Sequence, residues 1–277
     1  MTTVTDGDYD YVRQLLQKHS AIVLDENKSY LIDARLSPVA TDHGFDSVPK
    51  MLQELRTKSY GSLHKSVVEA LTTNETSFFR DLAPFEALEK TVLPDLIERR
   101  KAIRTLKIWC AACSSGQEPY SVAMAAFEAF PELEGWNLQI VATDLNTAMV
   151  ERTQSGKYSQ LEINRGLPAK LGLKYFKKKG LKYEAKPMLR DKIDARPMNL
   201  IDPWPPMGPF DIVFMRNVLI YFGTEHKRLI FDRMLRVMRH DAYMFLGGAE
   251  TTVGIHEGFH RLPIPKACCY RLKGNNV

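Results

Sequence analysis

Hydrophobic and polar positions repeat at two different periods along this chain. Over roughly the first 85 residues the apolar positions recur at helical spacing. Val12, Leu15, Leu16 and Ile22 fall on one stripe. SVPKMLQELRTK, with Ser47 as its N-cap, and GSLHKSVVEALTT predict two more helices. Strand signals are few here. APFEALEKTVLPDLIERRKA, Ala83 to Ala102, is charged on one face and broken by Pro94, and reads as a connector between domains.

From Thr105 the pattern changes. TLKIWCAAC, NLQIVATDL, FDIVFMRN, AYMFLGGAE and KACCYRLK are short apolar runs. Helical stretches fall between them: EPYSVAMAAFEAF, with Pro119 suited to a first turn, NTAMVERTQSG, with Asn146 to cap and Gly156 to terminate, and the amphipathic TEHKRLIFDRMLRVMRHD. Strands alternating with helices predict a doubly wound, parallel α/β sheet. Lys174 to Met198 carries nine Lys or Arg against three acids, in short alternating runs around Gly180 and Pro187. It reads as a small antiparallel β insertion, either a solvated hairpin or a basic docking surface. The expected domains are 1–82, helical; 83–104, a linker helix; and 105–277, α/β, with the insertion near 174–198.

Composition narrows the class. The 277 residues are 44% hydrophobic and 26% charged, as in ordinary globular proteins. No apolar run approaches the roughly 18 residues of a membrane span, so no membrane insertion is expected. MTTVTDGDYDY has neither a basic nor an apolar leader segment, which predicts a cytoplasmic protein. Four cysteines do not make a disulfide framework at this length. The net charge of +5 is compatible with an acidic partner and does not require nucleic acid. No coiled-coil pattern or long apolar stripe stands out, and a monomer is expected.

The candidate chemistry centres on WCAACSSGQEPYS, Trp109 to Ser121. It follows the first strand, where doubly wound sheets bind ligands. Its small residues, Ala111 to Gly116, let backbone amides approach a ligand. They match neither the dinucleotide fingerprint nor the P-loop. Cys110 and Cys113 form Cys-x-x-Cys, but a zinc site needs two further ligands. Cys268 and Cys269 are adjacent on a strand and point to opposite faces, so no metal site is expected. HEGFH, His256 to His260, matches H-E-x-x-H, yet Gly254, Gly258, Pro263 and Pro265 argue against the helix a zincin needs. Asp144, ending the second run, can accept from ribose hydroxyls. Together with the small-residue turn it favours a nucleoside cofactor without a phosphate requirement, such as S-adenosylmethionine.

Five motifs in order, TNETSFFRD, WCAACSSGQEPYSVAM, VATDLN, MNLID and FDIVFMRNVLIYF, closely resemble the chemotaxis receptor methyltransferases of the CheR family. The resemblance spans nearly the whole chain. It implies a helical N-terminal domain joined to a class I S-adenosylmethionine-dependent methyltransferase domain with a small β insertion. It implies methyl transfer from S-adenosylmethionine to glutamate side chains of methyl-accepting chemoreceptors, leaving S-adenosylhomocysteine. It also implies site residues. Asn74, Thr76 and Arg80 belong to the NETSFFR motif, where Arg80 would pair with the methionyl carboxylate. Ala112 lies in the turn. Glu118 would accept from the α-amino group, and Asp144 would hold the ribose. Asn199 and Leu200 would flank the adenine. Arg216 and Asn217 end the next strand at the same rim, and Tyr221 would lie beside the methyl donor.

A glutamate carboxylate is already ionised near neutral pH, so no general base is required. Tyr221 and Arg216 are the candidates to position it. For the receptor, a basic helix face with Lys28 and Arg35 and the basic insertion are both candidate contacts. The insertion looks compact, which favours independence of a receptor C-terminal pentapeptide. Two alternatives stay open: a same-fold methyltransferase acting on a small molecule or nucleic acid, and a cofactor-binding sensor without transferase activity.

Overall fold

The computed structural model describes residues 4–24 and 30–274. The chain divides into two compact units, Met1–Thr73 with Tyr221–His226, and Asn74–Ile220 with Lys227–Val277.

The first unit holds α1 (Asp6–Ser20), α2 (Tyr30–Asp42), α3 (Val48–Thr57) and α4 (Ser62–Ala70). α1 opens on a capping box: Thr5 Oγ1 accepts from Asp8 N, and the Asp8 carboxylate accepts from Thr5 N. Val12, Leu16, Leu36, Met51, Leu52 and Val67 are fully buried. Ile22 falls outside the helix its spacing predicts. Ala21 turns left-handed at φ 55°, and Ile22 instead makes a single antiparallel bridge to Phe222. Arg35 donates to the Leu71 and Thr72 carbonyls and ties α2 to the end of α4, so this guanidinium has a structural task. Lys28 lies outside the described residues.

The second unit starts at Asn74, ahead of the expected boundary. α5 (Leu82–Ala87), a π-helical turn (Leu88–Val92) and α6 (Leu93–Arg100) form one continuous run and are not broken at Pro94. Proline has no N–H to give to the carbonyl four residues back. The wider turn, closed by Leu93 N donating to Leu88 O, absorbs that gap. Leu88, Val92, Leu93 and Leu96 share one core with Leu106, Ile108, Ala123 and Phe127, so the segment expected as a linker is part of this unit's interior.

There follow β1 (Thr105–Ala111), α7 (Gln117–Ala129), β2 (Asn137–Asp144), α8 (Thr147–Ser155), β3 (Lys157–Ser159), α9 (Gln160–Asn164), α10 (Ala169–Tyr175), β4 (Phe176–Lys179), β5 (Lys182–Ala185), α11 (Pro187–Arg190), β6 (Ile193–Pro197), β7 (Phe210–Met215), α12 (Thr224–Val237), β8 (Met238–Leu246), β9 (Phe259–Arg261) and β10 (Cys269–Leu272). The main sheet runs β6-β2-β1-β7-β8-β10-β9. Its first five strands are parallel, and β10 is antiparallel to both its neighbours. The order reverses between β1 and β7, which opens a crevice at their carboxyl ends.

The separate sheet, β3-β5-β4, is antiparallel. Two of its strands, β4 and β5, fall inside the segment near 174–198 expected for the insertion, whereas β3 (Lys157–Ser159) lies ahead of it. Ile193–Pro197 pairs parallel with β2 at the edge of the main sheet. An edge strand tolerates the charges and the proline that hid it.

At the amino ends of the strands, Arg100 donates through Nε to Asp211 (2.8 Å) and through Nη2 to Asp241 (2.6 Å). The second Asp211 oxygen accepts from Lys107 N, tying β7 to β1. No described helix is long and apolar enough to cross a membrane.

Candidate cofactor site

The site is built at the carboxyl ends of β1, β2, β6 and β7. Trp109 is fully buried and stacks on Phe210, and its Nε1 donates to Thr143 Oγ1 (2.9 Å). This fixes where β1 ends and the turn to α7 begins. Cys113 N donates to the Thr143 carbonyl, and Thr153 Oγ1 and Tyr158 OH donate to the Ser114 and Ser115 carbonyls. At Gly116 (φ 94°) a Cβ would come within 2.8 Å of Thr153 Oγ1 and 2.9 Å of Tyr158 OH. The glycine is therefore demanded by the packing beneath the turn.

Strain collects here. Among the described residues, nine non-glycines have positive φ, and five of them are Phe79, Asp81, Ala112, Ser114 and Asn217. Left-handed backbone at such residues costs about 1–3 kcal/mol each and gathers at functional sites. Specific bonds hold it in place: Phe79 N donates to Ser121 Oγ, and Ser114 Oγ donates to the Asn74 carbonyl.

The charged groups come next. Asp144 is buried, and its two oxygens accept from Ser114 N (2.7 Å) and Asn146 N (2.9 Å). That orients the carboxylate at the end of β2, where it can accept from hydroxyl donors. Asn146 also caps α8, accepting from Ala148 N and Met149 N. Arg216, its side chain only 2% exposed, donates to Glu118 Oε2 (2.8 Å), to the Arg80 carbonyl (2.8 Å) and to Asp81 Oδ2 (3.0 Å). Burial pushes the Glu118 carboxyl up, and the facing Arg216 only partly offsets this. The Arg80 guanidinium donates to the Glu75 carbonyl and, among the described residues, makes no ion pair, although its charge reaches Glu118.

The other expected residues fall as follows. Asn74 and Thr76 lie in the irregular stretch before α5. Met198 N donates to the Asp144 carbonyl, which brings Asn199 and Leu200 to the end of β2. Leu200 is buried, and its carbonyl accepts from Trp204 Nε1 and Arg233 Nη1. Asn217 follows β7, beside Arg216. Tyr221 belongs with the first unit, where its carbonyl accepts from Val23 N.

One residue was missed. Glu250 is buried and accepts four backbone N–H bonds, from Asn217 and Gly247 at Oε2 and from Val218 and Ile220 at Oε1. It pins the loop after β7 to the loop after β8. Gly247 has no room for a side chain, since a Cβ would meet Glu250 Oε2 at 2.7 Å and Asn217 N at 2.8 Å. The only trace in the sequence is an acid closing GGAE after an apolar run.

All four cysteines are buried free thiols. Burial pushes the Cys110 thiol well up and Cys269 up to about 12, which removes them from nucleophilic chemistry near neutral pH. HEGFH is not helical; it leads into β9, and His256 Nε2 meets Asp232 instead. Among the described residues no cluster of His, Cys, Asp and Glu has the makings of a metal site.

The donor set fits a nucleoside carrying an amino-acid head. One buried acid is oriented for hydroxyls, a second acid for a cation, and an arginine without a carboxylate partner for an anion. The turn has no lysine to meet a phosphate.

Comparison with known proteins points the same way. Residues 7–72 match the family described as CheR methyltransferase, all-alpha domain, and residues 74–268 match CheR methyltransferase, SAM binding domain. The chain is 39% identical over 279 residues to chemotaxis protein methyltransferase 1 of Pseudomonas aeruginosa, covering 98% of this chain and all of that one. It is 35% identical over 274 residues to the chemotaxis protein methyltransferase of Vibrio parahaemolyticus, covering 98% of each.

Proposed function

The chain belongs to the CheR methyltransferase family, whose members use S-adenosylmethionine, and on that premise we propose that it methylates glutamate side chains of chemoreceptor cytoplasmic domains. The observation that carries this reading is the match across both domains. A relative acting on small molecules or nucleic acid has no need of the same N-terminal helical domain. We place the enzyme in the cytoplasm as a monomer.

In this reading Asp144 takes the ribose hydroxyls, Glu118 the α-ammonium group and Arg80 the methionyl carboxylate. Asn199 and Leu200 flank the adenine. Asn74, Thr76, Ala112 and Asn217 complete the lining. Bound S-adenosylmethionine supplies an electrophilic methyl group. The protein's part is to exclude water and hold the acceptor carboxylate in line, because a carboxylate is a weak nucleophile when fully solvated. Opposite charges are partly neutralised as the bond forms, which a low-dielectric site favours. Arg216 holds Glu118 and the segment from Arg80 to Asp81 in register, and Tyr221 is the candidate to orient the acceptor.

The decisive measurement uses tritiated S-adenosylmethionine with receptor-containing membranes. Base-labile, volatile label is expected, as carboxyl methyl esters release methanol in base and N-methyl groups do not. Base-stable label, or none, would reject the assignment. In the same assay Tyr221→Phe is expected to be slower, and an unchanged rate removes the hydroxyl from the account.

We also propose that methylation is independent of a receptor C-terminal pentapeptide, as the short strands of the insertion suggest. Receptors lacking their C-terminal tails are then methylated at an unchanged rate. A large loss of label on tail deletion would refute this.

A further inference from the structure

The small sheet carries a feature that methyl transfer leaves unused. β4 and β5 are joined by two residues, Gly180 and Leu181, within the run KKKGLK. Gly180 has φ 60°, the sign that short hairpin loops require at their first position. Leu181 at the tip is 92% exposed, more than any other large apolar side chain described. Singly exposed leucines are common on protein surfaces. Here four lysines lie within four positions of one.

The register sets where those lysines go. Lys177 and Lys157 both lie opposite Glu184, and Lys179 lies opposite Lys182. Side chains alternate along a strand, so Lys157, Lys177, Lys179 and Lys182 share one face with a single acid, Glu184. Glu184 is already engaged by Lys179 (2.5 Å) and Arg190 (2.8 Å). Lys177 and Lys182 are exposed and make no ion pair among the described residues. Lys178, on the opposite face, stands over the Tyr183 ring. Beneath that face Tyr158, Phe176 and Ala185 are buried, so the hairpin stands on a packed base.

We propose that this hairpin is a contact for anionic membrane surfaces. The leucine enters the boundary between headgroups and acyl chains, and the lysines meet lipid phosphates, their stems lying along the apolar layer. An acidic protein partner accounts for the lysines but leaves the bare leucine at a protruding tip without a role. The expectation of no membrane insertion came from the lack of a spanning run and does not bear on a surface contact. The proposal goes beyond methyl transfer and stands apart from it.

The test is co-sedimentation of the full-length protein with phosphatidylcholine vesicles, with and without phosphatidylglycerol. Binding is expected only to the anionic vesicles at low salt, and it is lost at high salt. Lys177→Glu with Lys182→Glu should weaken it by about tenfold or more. Leu181→Trp should shift its emission to the blue on anionic vesicles. No binding beyond neutral vesicles, or an unchanged emission, would overturn the proposal. So would tight binding of a polyglutamate peptide that Leu181→Ser leaves unaltered, which would assign the face to an acidic protein. Calorimetry with S-adenosylhomocysteine on the same variants separates the two readings, since the hairpin changes leave the cofactor site intact.

Discussion

Arg216→Met is expected to weaken S-adenosylhomocysteine binding by about a hundredfold or more while the protein stays folded. Removing one partner of a buried ion pair costs about 3–5 kcal/mol, because the other charge is left without compensation. Here the orphan is Glu118, and Arg216 also holds the Arg80 carbonyl and Asp81 in place. Arg216→Lys keeps the charge but not the fork that reaches three acceptors, so it should recover only part of the loss. The pH dependence carries a second signature. Burial holds the Glu118 carboxyl above its ordinary range, and Arg216 is the main opposing influence. The ligand's α-ammonium group prefers the carboxylate, so affinity is full above the folded-state pKa and falls as pH drops through it. Without Arg216 that pKa rises further, and the fall moves to higher pH. Calorimetry across pH, in buffers of different ionisation enthalpy, reads both the affinity and the proton released. Near-normal affinity in a folded Arg216→Met protein would remove Arg216 and Glu118 from the cofactor's grip.

Much of this site can be read from residues that do local work. β7 is buried along its whole length and β1 over its last four residues, as parallel strands covered on both faces are. Asp144 and the small-residue turn stand out since one strand end and one tight bend dictate them. Asn146 and Gly156 mark the limits of α8 through backbone needs that extend only a few residues. What stayed hidden depends on partners distant in sequence. β6 lacks an apolar run because only one neighbour, β2, bonds to it. The π-helical turn before Pro94 reflects the packing of Leu88, Val92 and Leu93, which the local sequence does not reveal. Glu250 takes its role from four amides, three of them about thirty residues earlier, and no local pattern announces such a carboxylate. Arg35 reads as a free cation until the Leu71 and Thr72 carbonyls are seen to take it.

The largest loss of stability is expected far from the cofactor, at Asp211. This carboxylate is buried, bonded to Arg100 through one oxygen and to Lys107 N through the other. Arg239 Nε lies 3.1 Å from it as well. Asp211→Ala leaves the Arg100 guanidinium shared with Asp241 alone and strips the acceptor from a backbone amide of β1. A cost of about 3–5 kcal/mol follows from breaking a buried pair. For a chain this size that lowers Tm by roughly 10 °C. Asp211→Asn keeps an acceptor for Lys107 N and should lose less. Both variants should bind S-adenosylhomocysteine normally while folded, because the cluster sits at the opposite ends of the strands from Asp144 and Glu118. The same cluster sets a response to acid. Burial pushes the Asp241 carboxyl up, but Arg100 more than offsets this and holds it below the usual carboxylate range. Its contribution is therefore present above the unfolded-state pKa and is lost as pH falls through the lower folded-state value. Arg100→Met should remove that acid-dependent component from thermal unfolding curves. A stability that is undisturbed in Asp211→Ala would show that the cluster is replaced by water at no cost.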